Sequence, residues 1–425
     1  MRSFSYIFRS ELIRNAGNLL SASVVAQLIG LLVYPLLTRL YSPDDFGLLT
    51  LFLQIGNVLV MLTTMEYHYA IVLPDNEQDA QNVMRLCFRL LALSTIVVAV
   101  SVLFRDPIAA LFNSPDLARF YPLMPLMVFA LGGWNMLNYW YIRRKAFSRI
   151  SGYQYVQSVF SAGGKLGFGY GHIFGGMIYS VVLAPVLACL VSVSLAFKKH
   201  VKIFGESFES QGIRKVAARY RNFPLYTLTR DVVNIVAAQL PVFVLTPCFG
   251  AYDVGLWSMA MLLGFVPINM ITKAIYQVLY QDCAERVNTH RAVWPLIRLF
   301  SIYALILLVP LFAGLFFILP WLTSWLLGAE WMASGHMIRW MLPWLLMTAL
   351  TASTCFLSDI FMQQKLGLVF EILLAVCRFA GVGIGVVCGS FTVAIAGYCI
   401  GSSAAILAQF IWLISLCRKH DQSLC

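Results

Sequence analysis

The residues of this chain able to do chemistry are charges set inside apolar runs. They are Glu66, Arg89, Lys165, Arg230, Asp231, Lys273, Asp359, Glu371 and Arg378. At the centre of a membrane helix each would cost at least about 2.5–3.5 kcal/mol unless it met a cavity or a partner. Arg89 and Glu371 lie near the end of a run, where a long side chain reaches the interface, and Glu66 is close to one. Lys165, Arg230, Lys273 and Arg378 are harder to place in lipid, and all are cations. Only Asp231, Asp359 and Glu66 are positioned to balance them. A water-filled cavity with positive walls accounts for the excess better than scattered ion pairs, and it would draw an anionic substrate. Arg230 and Asp231 are adjacent, but neighbours on a helix point in different directions, so adjacency alone does not pair them. Glu66 and Asp359 could instead take up and release protons. Charge balance is the favoured reading, since no histidine is spaced to form a relay with them.

Catalytic and metal chemistry find little support. His68, His172, His200, His290, His336 and His420 stand apart, with no HxxxD or HxxxE spacing. The ten cysteines are scattered without CxxC or Cys/His clustering, so they read as small apolar residues. Gly163-Gly164-Lys165 is not a phosphate loop, because Leu166 follows the lysine and the leading glycine is missing. No catalytic residue, metal site or cofactor is expected. No soluble module interleaves basic and aromatic residues, so nucleic acid is not an expected partner.

The elements that position these charges are membrane helices. Hydrophobic residues make up 60% of the 425 and charged residues 12%, with a mean hydropathy of +0.79. The apolar residues come in runs near the 20 or so needed to cross a bilayer. Spans are expected over residues 17–40, 46–67, 84–104, 120–141, 153–173 and 176–197, then 222–246, 255–280, 295–319, 336–358, 366–388 and 391–416. With both termini cytoplasmic, the outer segments hold only Arg39, Arg105, Arg119 and Arg339 of the loop cations, which satisfies the positive-inside rule. The start, MRSFSYIFRSELIRNAGN, has no small-residue cleavage site and reads as a retained basic lead-in.

The chain repeats itself. Gln27–Gly47 and Ile235–Gly255 align at a shift of 208, and the match runs on without a gap through Leu37/Leu245, Thr38/Thr246, Asp45/Asp253, Gly47/Gly255, Gly56/Gly264 and Thr64/Thr272. With slow drift, LMPLM at 123–127 answers to MLPWL at 341–345. Six spans per half make the repeat parallel, with the site where the halves face each other. The expected division is a six-helix lobe over 1–197, a basic cytoplasmic linker over 198–221 and a second six-helix lobe over 222–425. The glycines of GGKLGFGYGHIFGG (163–176) and GVGIGVVCG (381–389) are read first as close-packing sites and second as gating bends. Trp321, Trp325, Trp331, Trp340 and Trp344 are read as anchors at the outer interface.

The stretches LIGLLVYPLLTRLYSPDDFGLLTLF, EYHYAIVLPDNEQDAQN, RNFPLYTLTRDVVN, LPVFVLTPCFGAYDVGLWSMA and KAIYQVLYQDCAER, with the GAEW turn at 328–331, resemble bacterial polysaccharide and O-antigen flippases. These are Wzx-type members of the multidrug/oligosaccharidyl-lipid/polysaccharide exporter superfamily. The resemblance implies an all-α, MATE-like polytopic membrane protein, here with about 12 helices in two parallel lobes around a central cationic cavity. It implies export of undecaprenyl-diphosphate-linked oligosaccharide from the cytoplasmic to the periplasmic leaflet of the inner membrane, for O-antigen, capsule or exopolysaccharide synthesis. Lys165, Arg230, Lys273 and Arg378 would meet the diphosphate. Membrane lipids are implied partners, and the family often works beside a polysaccharide polymerase and a chain-length regulator. A drug or cation exporter of the same superfamily would need an acid-dominated cavity. A membrane polymerase, ligase or acyltransferase would need a large outer loop or a paired histidine and acid.

Overall fold

The structure is a computed structural model that describes residues 32–200, 210–361 and 363–422. The basic lead-in, most of the first expected span and residues 201–209 of the expected linker lie outside the described residues. Each expected span from the second to the twelfth coincides with helix. In order these are Pro43–Thr63, Glu77–Ser101, Met124–Arg143, Phe147–Tyr170, Gly176–His200, then Leu228–Ala238 with Leu240–Phe249, Ala251–Ala260 with Val266–Asn288, Trp294–Leu327, Met332–Thr351, Gln364–Val387 and Phe391–Gln422. No strand occurs among the described residues. Among the described residues seven helices are long and apolar enough to cross a membrane, and the pair Phe223–Ala238 and Leu240–Phe249 makes an eighth if taken as one span. Large apolar side chains stand outward along Trp294–Leu327, where Ile306, Leu307 and Phe317 are all well over half exposed. Hydrocarbon is the solvent that suits such a surface.

Proline explains the breaks. The expected span 222–246 is interrupted at Gln239, two residues before Pro241. Wider π turns occur over Phe223–Thr227 and Met261–Phe265, where the Leu228 and Val266 amides reach back five residues to the Phe223 and Met261 carbonyls. Pro224 lies within the first turn, and Pro267 stands two residues after Phe265. The Pro267 ring would clash with the carbonyl four residues back, at Leu263 inside the second turn, and the wider turn relieves that clash.

The chain forms two compact units, Met1–Val236 and Ala237–Cys425. In the first, Ser42 caps Pro43–Thr63 through a reciprocal capping box: the Asp45 amide donates to Ser42 Oγ at 3.3 Å and the Ser42 amide to Asp45 Oδ2 at 3.0 Å. In the second, Gly250 stands at the cap and Asp253 in the first turn of Ala251–Ala260. Both helices therefore begin at repeat-related positions. The likeness extends to packing. A Cβ on Gly56 would lie 2.7 Å from Met127 Cε, and one on Gly264 would lie 3.4 Å from Met341 and Leu345. The same glycine in each half thus seats the same repeat-related segment.

The packing reading of the glycine-rich runs holds at most positions. Gly381 and Gly385 have no room for a Cβ against Gly397 and Ala394, and Gly164 meets Ser180, whereas a Cβ on Gly163, Gly167 or Gly383 would meet nothing within 4 Å among the described residues. Gly328 opens the GAEW turn at φ +112°, a backbone that side chains resist. The tryptophans divide. Trp321 and Trp325 are exposed and stacked on each other with ring centroids 6.3 Å apart, and Trp340 is also exposed. Trp331 and Trp344 are buried and belong to the core, so the anchor reading fails for them.

At one end of the first unit, Arg143 ties down the connection after Pro43–Thr63. It donates to the Pro74 carbonyl at 2.7 Å and the Ile71 carbonyl at 3.3 Å, and it lies 3.6 Å from Glu77. Arg144 pairs with the same glutamate. Arg143→Met keeps the packing stem and removes the donors. Hydrogen bonds from a charged group are each worth about 1.5–3 kcal/mol, so the variant should lose about 2–4 kcal/mol locally. Faster proteolytic cleavage within residues 70–77 is the expected readout, and an unchanged cleavage rate would refute it.

Candidate functional site

A membrane helix seldom carries a polar face, but Phe147–Tyr170 does. Gln157, Ser158, Ser161 and Lys165 recur at intervals of three and four, which places them on one side of the helix. The same composition explains why this helix is not among those apolar enough to cross by hydropathy alone. These side chains line a cavity of about 270 Å3 together with Val33, Tyr34 and Leu37. A second cavity of about 280 Å3 adjoins it, lined by Asn57, Met127, Leu131 and Pro185 and sharing Gln157 and Ser161. Among the described residues no acid lines either cavity. The Lys165 ammonium stands 6.0 Å from the centre of the Tyr34 ring. Its helix is fixed where the Tyr41 hydroxyl donates to the Lys165 carbonyl at 2.8 Å.

Glu66 lies three residues beyond the end of Pro43–Thr63, outside that helix. Met65 and Glu66 both adopt left-handed backbone, with φ of 48° and 62°. This conformation costs an ordinary residue about 1–2 kcal/mol, and it turns the Glu66 carboxylate into the interior. Glu66 is only 4% exposed, and its Oε2 accepts no hydrogen bond among the described residues. His68 Nε2 is 3.5 Å away, while Thr64 Oγ1 lies 2.7 Å from His68 Nδ1. The histidine stacks among Tyr69 and Tyr139, at 4.4 and 5.1 Å between ring centres. Burial pushes the Glu66 carboxyl up to about 7, with Asp231 adding to the effect and Arg230 opposing it. Burial pulls His68 down to about 4. The expectation that no histidine partners Glu66 is therefore corrected. A two-residue separation on a regular helix would part them, and the left-handed pair brings them together.

Arg230 and Asp231 do pair, at 2.9 Å from Nε to Oδ1, with the arginine largely exposed. In the second unit Lys273 is exposed and has no ion pair among the described residues. Arg378 is held differently. It donates to Ser402 Oγ at 3.1 Å and lies over the Tyr398 and Trp344 rings at 5.1 and 5.7 Å. Asp359 falls in the short helix Leu357–Ile360. So Lys165, Arg230, Asp231 and Glu66 belong to the first unit, and Lys273, Arg378 and Asp359 to the second. Sequence reasoning missed His68, Asn57, Gln157, Ser158 and Ser161. The signal for the last three was uncharged polar side chains at helical spacing inside a span.

Residues 36–336 match the family described as polysaccharide biosynthesis protein. The succinoglycan biosynthesis transport protein ExoT of Rhizobium meliloti (strain 1021) is 22% identical over 304 residues, which is 70% of this chain and 58% of that protein. The chain thus matches less than two thirds of the relative's length. Among solved structures, an inward-facing multidrug resistance MATE family transporter of the MOP superfamily superposes with a TM-score of 0.71 at 16% identity, covering 92% of this chain and 96% of the other. The lipid II flippase MurJ, in an inward closed conformation, also gives 0.71, at 12% identity over 95% and 89%. At these identities the likeness is one of fold, that of a polytopic all-α membrane protein.

Proposed function

Because the chain belongs to the polysaccharide biosynthesis protein family, we propose that it is a flippase for undecaprenyl-diphosphate-linked oligosaccharide. It moves repeat units from the cytoplasmic to the periplasmic leaflet of a bacterial inner membrane by alternating access, with both termini in the cytoplasm. The observation that supports this most is Lys165, a cation on a membrane helix, lining a polar cavity with no acid in its wall among the described residues. A drug or cation exporter would call for the opposite charge there. The physical task is plain. Each sugar hydroxyl carried into hydrocarbon without a partner costs about 4–8 kcal/mol, and the diphosphate costs more. Polar walls and cations replace the lost water, while the polyprenyl chain stays in lipid. Lys165, Arg230, Lys273 and Arg378 are the proposed diphosphate contacts. Glu66, Asp231 and Asp359 serve charge balance or coupling. A polysaccharide polymerase and a chain-length regulator are the proposed partners, and the protein itself performs no covalent chemistry.

Deleting the gene in its host should abolish surface polysaccharide and leave complete lipid-linked repeat units on the cytoplasmic face. Units found unpolymerised on the outer leaflet would indicate a polymerase instead. Raised sensitivity to cationic drugs without lipid-linked sugar would indicate a drug exporter. Arg230→Ala and Lys273→Ala should each reduce surface polysaccharide about tenfold or more at normal protein level, the loss expected for a charge-assisted contact worth at least about 1.4 kcal/mol. Wild-type polymer in both variants would remove the diphosphate role from these residues.

A further inference from the structure

Polar side chains on membrane helices usually find partners, either a carbonyl one turn back or a neighbouring helix. Many hydroxyls here do so: Ser180 donates to the Gly176 carbonyl, Thr95 to Leu91 and Ser403 to Cys399. Gln157, Ser158 and Ser161 behave differently. None of the three makes a side-chain hydrogen bond among the described residues, yet all point into the adjoining cavities. Asn57 lines the second cavity from the facing helix. Lys165 stands about 12 Å along the helix from Gln157, at 1.5 Å per residue. Among the described residues the result is a groove inside the first unit with amides and hydroxyls along it, the Asn57 amide also donating to Gln54 Oε1 at 3.4 Å, and the Lys165 ammonium at its end. Aliphatic side chains such as Leu37, Leu53 and Leu131 fill the remaining wall.

An ion needs a tight ring of oxygens, and an apolar drug needs a dry wall. A row of neutral donors and acceptors beside aliphatic patches suits a ligand with many hydroxyls and apolar C–H faces. We infer that this groove binds the glycan of the cargo, with Asn57, Gln157, Ser158 and Ser161 exchanging hydrogen bonds with sugar hydroxyls and Lys165 meeting anionic oxygen at the end of the row. The inference rests on the flippase reading and deepens it: the sugar is read within one unit. The anionic oxygen belongs either to the diphosphate or to an acidic group on the sugar.

The test uses the full-length chain in lipid nanodiscs and three probes. They are the undecaprenyl-diphosphate-linked repeat unit isolated from a strain lacking the protein, undecaprenyl diphosphate without sugar, and the glycan released from the first by mild acid. Gln157→Leu and Ser161→Val should each weaken binding of the sugar-bearing lipid about tenfold, the effect of one lost polar contact. Binding of the sugar-free lipid should stay within about twofold. Ser161→Thr, which keeps the hydroxyl, should bind as the parent does, which separates lost contacts from lost folding. Equal weakening for both lipids, or no weakening in either variant, overturns the groove. Lys165→Gln assigns the anion: loss on the sugar-free lipid points to the diphosphate, loss confined to the released glycan points to an acidic sugar, and loss on no probe overturns the role of Lys165. Failure of the unaltered protein to bind either lipid would instead overturn the flippase reading on which the groove depends.

Discussion

Glu66→Gln is expected to be more stable than the parent above pH 7 and equal to it below about pH 4.5. The folded carboxyl titrates near 7, against an ordinary value of 4.5, because it is buried and shares its surroundings with Asp231. A carboxyl whose folded value lies above its unfolded value stabilises the fold while it is protonated. That contribution is complete below pH 4.5 and is lost as pH rises through 7. At about 1.4 kcal/mol per pH unit, the parent forfeits on the order of 3 kcal/mol at pH 8. Glutamine resembles the protonated acid and forfeits nothing. The other groups nearby are His68, Tyr69, Tyr139, Asp231 and Arg230. His68 contributes with the opposite sign: its depressed value makes stability fall as pH drops from 6.5 toward 4. Parent and variant share that effect, so their difference isolates Glu66. Thermal midpoints of the purified protein from pH 4.5 to 8.5 measure it, and parallel curves for the two proteins would sink the assignment.

Gly381→Leu and Gly385→Val are expected to deplete folded protein, while Gly383→Ala leaves it intact or improves it. Gln364–Val387 and Phe391–Gln422 run against each other with backbone in contact. A Cβ on Gly381 would sit 2.3 Å from the Gly397 carbonyl group, and one on Gly385 would sit 2.1 Å from Ala394 Cα. These obstacles are main chain and cannot rotate aside. Overpacking a side chain costs about 1–3 kcal/mol, and here the two helices must also part along their length, which forfeits further dispersion contacts. Among the described residues nothing lies within 4 Å of a Cβ on Gly383, so alanine there gains about 1 kcal/mol of helix propensity. Yield of monodisperse protein after extraction separates the cases. Equal yields from all three variants would mean that the two helices are not interlocked as described.

Much of this architecture could be read from the sequence, because the bilayer imposes simple constraints. Apolar runs near 20 residues mark helices, and the shift of 208 marks the repeat that Gly56 and Gly264 express as equivalent packing. The local site was harder to read. Charge drew attention to Lys165 and Arg378 alike, but only coordinates separate a lysine beside an open cavity from an arginine set over Tyr398 and Trp344. The tryptophans were misjudged for a related reason, since hydropathy does not tell an interface from a core at Trp331. The partnership of Glu66 with His68 escaped notice because it depends on two successive left-handed residues. No residue type at Met65 or Glu66 announces that backbone, as both are ordinary side chains rather than glycine or asparagine.

The π turn at Met261–Phe265 has a bearing on how such a chain can change over time. A turn closed over five residues holds one residue more than its α-helical counterpart, and each residue advances a helix by about 100°. Removing one residue from this turn would restore regular winding and leave everything downstream, Lys273 included, facing nearly as before, because the wide turn already absorbs the extra residue. The same deletion in the regular winding that follows would swing that lysine through about 100°. The π turn is therefore the point on this helix at which the chain can change length by one residue without redirecting the charge.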